Sequence, residues 1–176
     1  MELHGKKLGI VGHGNIGQAV ARMARGFGLE VLIAARPGAP GGDGRISLDR
    51  LFSQADVISL HCPLTPETRN LINPQTLALM KPAAFLVNTA RGALIDEAAL
   101  IDALRRKTIA GAALDVITQE PPGADHPIIR AGKELDNLIV TPHTAWSARE
   151  ARERLLHEVE ENITAFLRGR ERNLVA

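Results

Sequence analysis

The run Leu8-Gly9-Ile10-Val11 leads directly into Gly12-His13-Gly14-Asn15-Ile16-Gly17, and a helical pattern follows at once. An apolar run, a G-x-G-x-x-G turn and a helix give each glycine its own steric task. The first permits a tight turn, the second keeps the outer side of the backbone clear, and the third lets helix pack closely on strand. That junction predicts a strand crossing onto one face of a parallel sheet. Elsewhere, short apolar runs bounded by Gly, Pro and Asp alternate with longer helical patterns, as α/β chains require. Strands are expected near residues 7–11, 30–34, 56–61, 83–88, 110–116 and 138–141. Helices are expected near residues 15–27, 48–54, 74–80 and 96–107. A last helix near 147–168 repeats Leu155, Val159, Ile163 and Phe166 at spacings of three and four, so it is amphipathic. The segment from Arg36 to Arg45, with Gly38, Gly41, Gly42, Gly44 and two prolines, reads as a mobile loop. There is no internal repeat.

This pattern implies the α/β Rossmann class, a doubly wound parallel sheet with helices on both faces. With 176 residues and 45% hydrophobic content the chain can bury one core, so residues 1–176 are expected to form one dinucleotide-binding domain. The helix N-terminus after the glycine turn offers unpaired N–H groups, chiefly of Asn15 and Ile16, to a pyrophosphate. A glycine-rich turn without a ligand is the plain alternative. In such folds an acid about 20 residues further on binds the adenine ribose and would repel a 2′-phosphate. Here Ala35 and Arg36 end the second strand, so the acid is missing and a cation follows. NADP(H) is therefore the expected cofactor, with NAD(H) possible if Arg36 is simply solvated.

The charge balance, 21 Lys and Arg against 20 Asp and Glu, gives no electrostatic footprint for nucleic acid or an anionic membrane. Four Phe, one Trp and no Tyr leave no base-stacking surface. Cys62 is the only cysteine, so no intrachain disulfide can form. Met1-Glu2-Leu3-His4 lacks the apolar core of a secretion signal, and no apolar run reaches the roughly 18 residues of a membrane span. A cytoplasmic protein with no metal site is expected, because no His and Cys spacing suits a metal.

Four further motifs follow in order: Leu64-Thr65-Pro66-Glu67-Thr68-Arg69; Val87-Asn88-Thr89-Ala90-Arg91-Gly92; Ala113-Leu114-Asp115-Val116 with Glu120-Pro121-Pro122; and Thr141-Pro142-His143. With the glycine turn, they make the chain resemble the D-2-hydroxyacid dehydrogenase family over nearly its whole length. The resemblance implies that Arg91, Glu120 and His143 are catalytic. It places Gly12, Gly14, Asn15, Ile16, Gly17, Ala35 and Arg36 against the cofactor, and adds Cys62, Pro63 and Thr68 along the adenosine. Thr89, Ala90 and Arg91 would run beside the nicotinamide ribose, Asp115 would accept from the carboxamide, and His143 and Ala145 would complete the set. Trp146 resembles the branch holding glycerate dehydrogenases and hydroxypyruvate reductases. A small 2-oxo acid such as hydroxypyruvate or glyoxylate is then the expected substrate.

The chemistry accounts for these residue types. Arg91 can donate two parallel hydrogen bonds to the carboxylate and carbonyl of a 2-oxo acid. His143 would give a proton to the carbonyl oxygen as hydride reaches the carbon, and imidazole can run the step both ways near neutral pH. Glu120, on the other ring nitrogen, would fix the tautomer and favour the protonated ring. Singly, each has an ordinary reading as a surface Arg, a solvated loop acid or a turn histidine. His4, His13, His61, His126 and His157 have no such context and read as structural or exposed.

The resemblance also implies a substrate domain formed mainly by an N-terminal segment, which is expected to be missing because the sequence starts almost on its first strand. The expectation is a cofactor domain alone, weakly active or inactive without domain closure. Residues 147–176 would form a C-terminal helix packing toward the absent domain, and a homodimer is expected. Two alternatives stand beside this reading. One is a nucleotide-sensing interaction module of the corepressor type. The other is a formate dehydrogenase, which would require Gln at position 120.

Overall fold

Strands and helices alternate through β1 (Lys7–Val11), α1 (Asn15–Gly26), β2 (Glu30–Ala34), β3 (Gly41–Gly42), β4 (Arg45–Ile46), α2 (Leu48–Gln54) and β5 (Val57–Leu60). The chain continues with α3 (Pro74–Leu79), β6 (Phe85–Asn88), α4 (Glu97–Arg105), β7 (Gly111–Leu114), α5 (Pro127–Glu134), β8 (Leu138–Val140) and α6 (Arg149–Leu167). This computed structural model describes residues 2–123 and 125–174. Val175 and Ala176, the end of the expected last segment, lie outside the described residues. The chain divides into two units, Met1–Pro142 and His143–Ala176.

In the first unit the sheet order is β3-β4-β2-β1-β5-β6-β7-β8. Every pairing is parallel except the antiparallel contact of β3 with β4. From β1 the chain moves outward through β2 to β4, then returns to the other side of β1 as β5. The order therefore reverses between β1 and β5, and open sheets take their ligands at the carboxyl ends beside such a reversal.

Helix α1 lies over one face, burying Gly17, Ala21 and Ala24 against a cluster with Leu8, Ile10 and Leu29. Small residues on that side let the helix sit close to β1. The larger core on the opposite face takes Leu51 and Phe52 from α2, Leu77 from α3, and Leu100 and Leu104 from α4. Burying each such side chain stabilises the fold by about 1.5–3 kcal/mol. Local signals set the helix ends: the Ser47 side chain accepts from Arg50 N, and Asn73 and Thr76 form a reciprocal capping box ahead of α3.

Two elements depart from expectation. The segment from Arg36 to Arg45 is not a plain loop, because Gly41–Gly42 and Arg45–Ile46 form a small hairpin that extends the sheet. Strands of two residues are too short to show periodicity. Helix α5 is the other departure. Its eight residues start at Pro127 and contain Gly132, and only Ile128 and Ala131 are buried.

In the second unit α6 carries the expected apolar stripe, but no residue of it is buried. Leu155, Val159, Ile163 and Phe166 are exposed. No described helix is long and apolar enough to cross a membrane.

Candidate functional site

The glycine turn sits at the carboxyl end of β1, and its three glycines face different surroundings. Gly12 has φ 98°, and a Cβ there would lie 2.4 Å from Cys62 N and 2.5 Å from the His61 carbonyl carbon. A Cβ on Gly17 would lie 2.1 Å from Gly12 O. The fold itself forbids side chains at both positions. Gly14 differs: its φ of −79° and ψ of −163° suit any residue, and a Cβ would meet nothing within 4 Å. The protein's own packing gives no reason for glycine there. The first helical bond runs from Gln18 N to Gly14 O, so the amides of Asn15, Ile16 and Gly17 stand outside the helical ladder. No acidic residue occupies the first turn of α1. These amides, the open side of Gly14 and the helix dipole together fit a pyrophosphate.

Beside the turn lies a cleft of about 610 Å³ between the ends of β1, β2 and β5. It brings together the expected residues Gly12, Gly14, Ala35, Arg36, Cys62, Pro63 and Thr68. It also takes in His13, Arg45 and Glu67, which the sequence alone does not assign to a site. His13, expected to be structural or exposed, lines the cleft. Arg45 reaches it because β4 returns beside β2, a proximity that linear sequence does not display.

The far wall of the cleft is held by its own hydrogen bonds. Thr68 is buried, and its Oγ1 donates to Pro63 O at 2.8 Å while accepting from Thr65 N at 2.7 Å. That hydroxyl therefore closes the loop it belongs to. Ser59 Oγ and His61 Nε2 lie 2.9 Å apart, and burial lowers the pKa of His61. Burial pushes the Cys62 thiol upward, which keeps it protonated and unreactive. A hydrogen bond from the Thr65 side chain holds Glu67 below the ordinary carboxylate range.

The other expected residues follow β6 and β7. Asn88 is fully buried and shapes the Thr89-Ala90-Arg91 turn, accepting from Ala90 N at 3.0 Å and donating to Arg91 O at 2.9 Å. Arg91 is exposed, and its Nη1 donates to Ala90 O at 2.7 Å. Asp115, after β7, is buried and accepts from the Thr141 hydroxyl. Glu120 Oε1 accepts from Ile117 N at 2.9 Å.

Two residues here escape a reading of the sequence. A Cβ on Gly92 would fall 1.9 Å from the Ile117 carbonyl carbon, so the loops after β6 and β7 meet where only glycine fits. Glu97 Oε1 accepts from Thr118 N at 2.7 Å, and its Oε2 lies 3.8 Å from His126 Nε2. The only visible signal is the glycine directly after Arg91. Thr89, Ala90, Arg91, Asp115 and Glu120 do not line the cleft described above. Within the second unit His143 has φ 54°, a left-handed conformation uncommon for a side chain of this size, and its carbonyl accepts from Trp146 Nε1 at 3.0 Å. Ala145 follows in the same exposed turn.

Residues 1–145 match the family described as D-isomer specific 2-hydroxyacid dehydrogenase, NAD binding domain. The chain is 45% identical over 174 residues to a glycerate dehydrogenase of Methylorubrum extorquens, covering 99% of this chain and 54% of that one. Among solved structures, an acyclic imino acid reductase in complex with NADPH and D-Arg matches with TM-score 0.85 at 36% identity, covering 100% of this chain and 55% of that chain. A D-lactate dehydrogenase with NAD+ from Lactobacillus jensenii matches with TM-score 0.87 at 32% identity, covering 100% of this chain and 57% of that chain. The chain thus spans about half the length of the relatives it matches.

Proposed function

The chain belongs to the D-isomer specific 2-hydroxyacid dehydrogenase family as its NAD-binding domain, and on that premise we propose that it binds NADP(H) in preference to NAD(H) and serves reduction of a small 2-oxo acid. The observation that carries the cofactor role is Gly14. It is the one fingerprint glycine that the fold does not require, and it faces the cleft beside three unbonded helix amides. The preference for the 2′-phosphorylated form rests on Ala35 in the ribose position and Arg36 after it, both lining that cleft.

A bound nicotinamide would supply the hydride. Arg91, at the carboxyl end of β6, would orient the substrate through its carboxylate and polarise the carbonyl. His143 would deliver the proton that converts the carbonyl oxygen to a hydroxyl and take it back in the reverse direction. Glu120 is assigned to keep that histidine in its protonated, correctly oriented form. Glycerate dehydrogenase among the relatives favours hydroxypyruvate or glyoxylate as the substrate. These three relatives are dehydrogenases or reductases, which lends nothing to an interaction module. A homodimer completes the proposal.

Calorimetric titration with NADPH and NADH, followed by glyoxylate or hydroxypyruvate added to the cofactor complex, tests it. Tighter NADPH binding and a further heat on adding the 2-oxo acid are expected. Failure to bind either nucleotide would overturn the cofactor role. Equal or tighter binding of NADH would overturn the preference.

A further inference from the structure

Arg36 and Arg45 line the same cleft, yet they are held very differently. Arg36 follows the end of β2 outside the strand ladder, in a turn where its carbonyl accepts from Ala39 N at 3.0 Å. Arg45 is fixed inside the ladder: it pairs with Ile33 of β2 on one side and with Gly42 of β3 on the other. Ala35 N donates to Ile46 O at 2.7 Å and ties the two segments together where Arg36 begins. The reversal that brings Arg45 back uses Gly42, Asp43 and Gly44 at φ 138°, 51° and 76°, and a Cβ on Gly41 would lie 2.7 Å from Arg45 O. The glycines therefore build a hairpin that only a nearly side-chain-free segment could close.

Neither arginine forms an ion pair or a side-chain hydrogen bond among the described residues. The only carboxylate lining the cleft is Glu67, on the Pro63 to Thr68 loop, where Thr65 already engages it. Two arginines that line one cleft without a counter-ion among the described residues suit a dianion. A phosphate monoester carries roughly −1.5 to −2 charges at neutral pH and can take paired hydrogen bonds from each arginine.

We propose that Arg45, positioned by the Gly41 to Ile46 hairpin, is a second cofactor-selecting residue that works with Arg36 to hold the 2′-phosphate of NADP(H). The proposal rests on the NADP(H) reading above and adds to it a residue and a structural device. The hairpin fixes one cation in register with β2, so selectivity does not depend on a loose side chain alone.

The test is fluorescence titration of the full chain, its Arg36→Gln variant and its Arg45→Gln variant with NADPH and NADH across a range of salt concentrations. Wild type should prefer NADPH. Arg45→Gln should weaken NADPH by about tenfold or more while changing NADH by less than about twofold, the size expected for loss of a charged hydrogen bond. The salt dependence of NADPH binding should also flatten. Unchanged NADH affinity shows that the variant is folded, and Arg45→Lys, which keeps the charge, should recover part of the loss. If wild type prefers NADPH and Arg36→Gln loses that preference but Arg45→Gln binds NADPH like wild type, Arg45 plays no part and the proposal falls alone. An equal loss for both nucleotides would make Arg45 a structural residue. A wild-type chain without NADPH preference would remove the cofactor reading and this proposal together.

Discussion

The carboxyl edge of the sheet has two halves built on different plans. At β1, β2 and β5 the cleft proposed for the cofactor offers main chain at its phosphate end, through the amides at the start of α1 and an open glycine, beside loop walls locked by Thr68 and the two arginines Arg36 and Arg45. At β6 and β7 the residues proposed for the chemistry are charged side chains, Arg91 and Glu120, each bonded to the backbone of its own loop. On the proposed function, the pyrophosphate of a cofactor present in every turnover would be met by preformed backbone. The residues that would follow a changing substrate, Arg91 and Glu120, are exposed. Changes in the first half should therefore separate folding from binding cleanly, whereas in the second half a change at Arg91 should touch neither folding nor nucleotide affinity, and a change in the tie between the loops should cost stability alone.

The largest effect tests the first half against itself. Gly12→Ala forces a Cβ into the backbone of His61 and Cys62 at an unfavourable φ, and should cost about 3 kcal/mol or more of stability in denaturant unfolding. Gly14→Ala should leave stability within about 0.5 kcal/mol, yet weaken both nucleotides by about tenfold or more, since its methyl group occupies the pyrophosphate side. A Gly14→Ala chain that binds normally would mean that the cleft is not where the phosphates lie.

Next comes the tie between the second-half loops. Glu97→Ala removes the acceptor of Thr118 N–H and the carboxylate beside His126, and should cost about 1–2 kcal/mol. Hydrogen exchange at Thr118 should quicken, with nucleotide affinity unchanged. If affinity fell with it, the two halves would be coupled rather than separate.

Legibility in the sequence follows the same division. β1, β2 and α2 can be read to the residue because glycines, a cap or a polar boundary punctuate them. The hairpin passes for a loop because its glycines signal flexibility locally, and only the pairing of β3 with β4, itself paired with β2, turns them into strands. The apolar stripe of α6 is legible, but a stripe does not say what covers it. In the site, the glycine turn announces itself because backbone geometry demands particular residues at fixed spacing. Arg45, His13 and Glu97 do not, since what matters is their position across the sheet, which no local pattern encodes.

The opposite edge of the same strands provides a control. Asp56, just before β5, accepts from Lys7 N at 2.8 Å and from Lys81 Nζ at 2.8 Å. Burial raises its pKa, but the Lys81 and Lys7 hydrogen bonds and nearby lysine charges outweigh that, so the net shift is downward. A depressed carboxylate contributes stability that is present above its unfolded value, near 3.9, and is lost as pH falls through the lower folded value. Asp56→Asn should therefore cost about 1 kcal/mol at neutral pH, and the gap to wild type should close in acid. Nucleotide affinity should not move, because this edge faces away from the cleft.

The smallest expected effect is the most informative about the second half. Arg91 is exposed, and its observed bond is to the carbonyl of the preceding residue, so Arg91→Gln should change stability by no more than about 0.5 kcal/mol. NADPH affinity should stay within about twofold, since the phosphates and adenosine are assigned to the other half. What should disappear is the additional heat when glyoxylate is added to the cofactor complex, because glutamine cannot offer a carboxylate the paired, charged donors of a guanidinium. A large loss of NADPH affinity in this variant would place Arg91 in the binding half and erase the boundary drawn between main-chain recognition and side-chain chemistry.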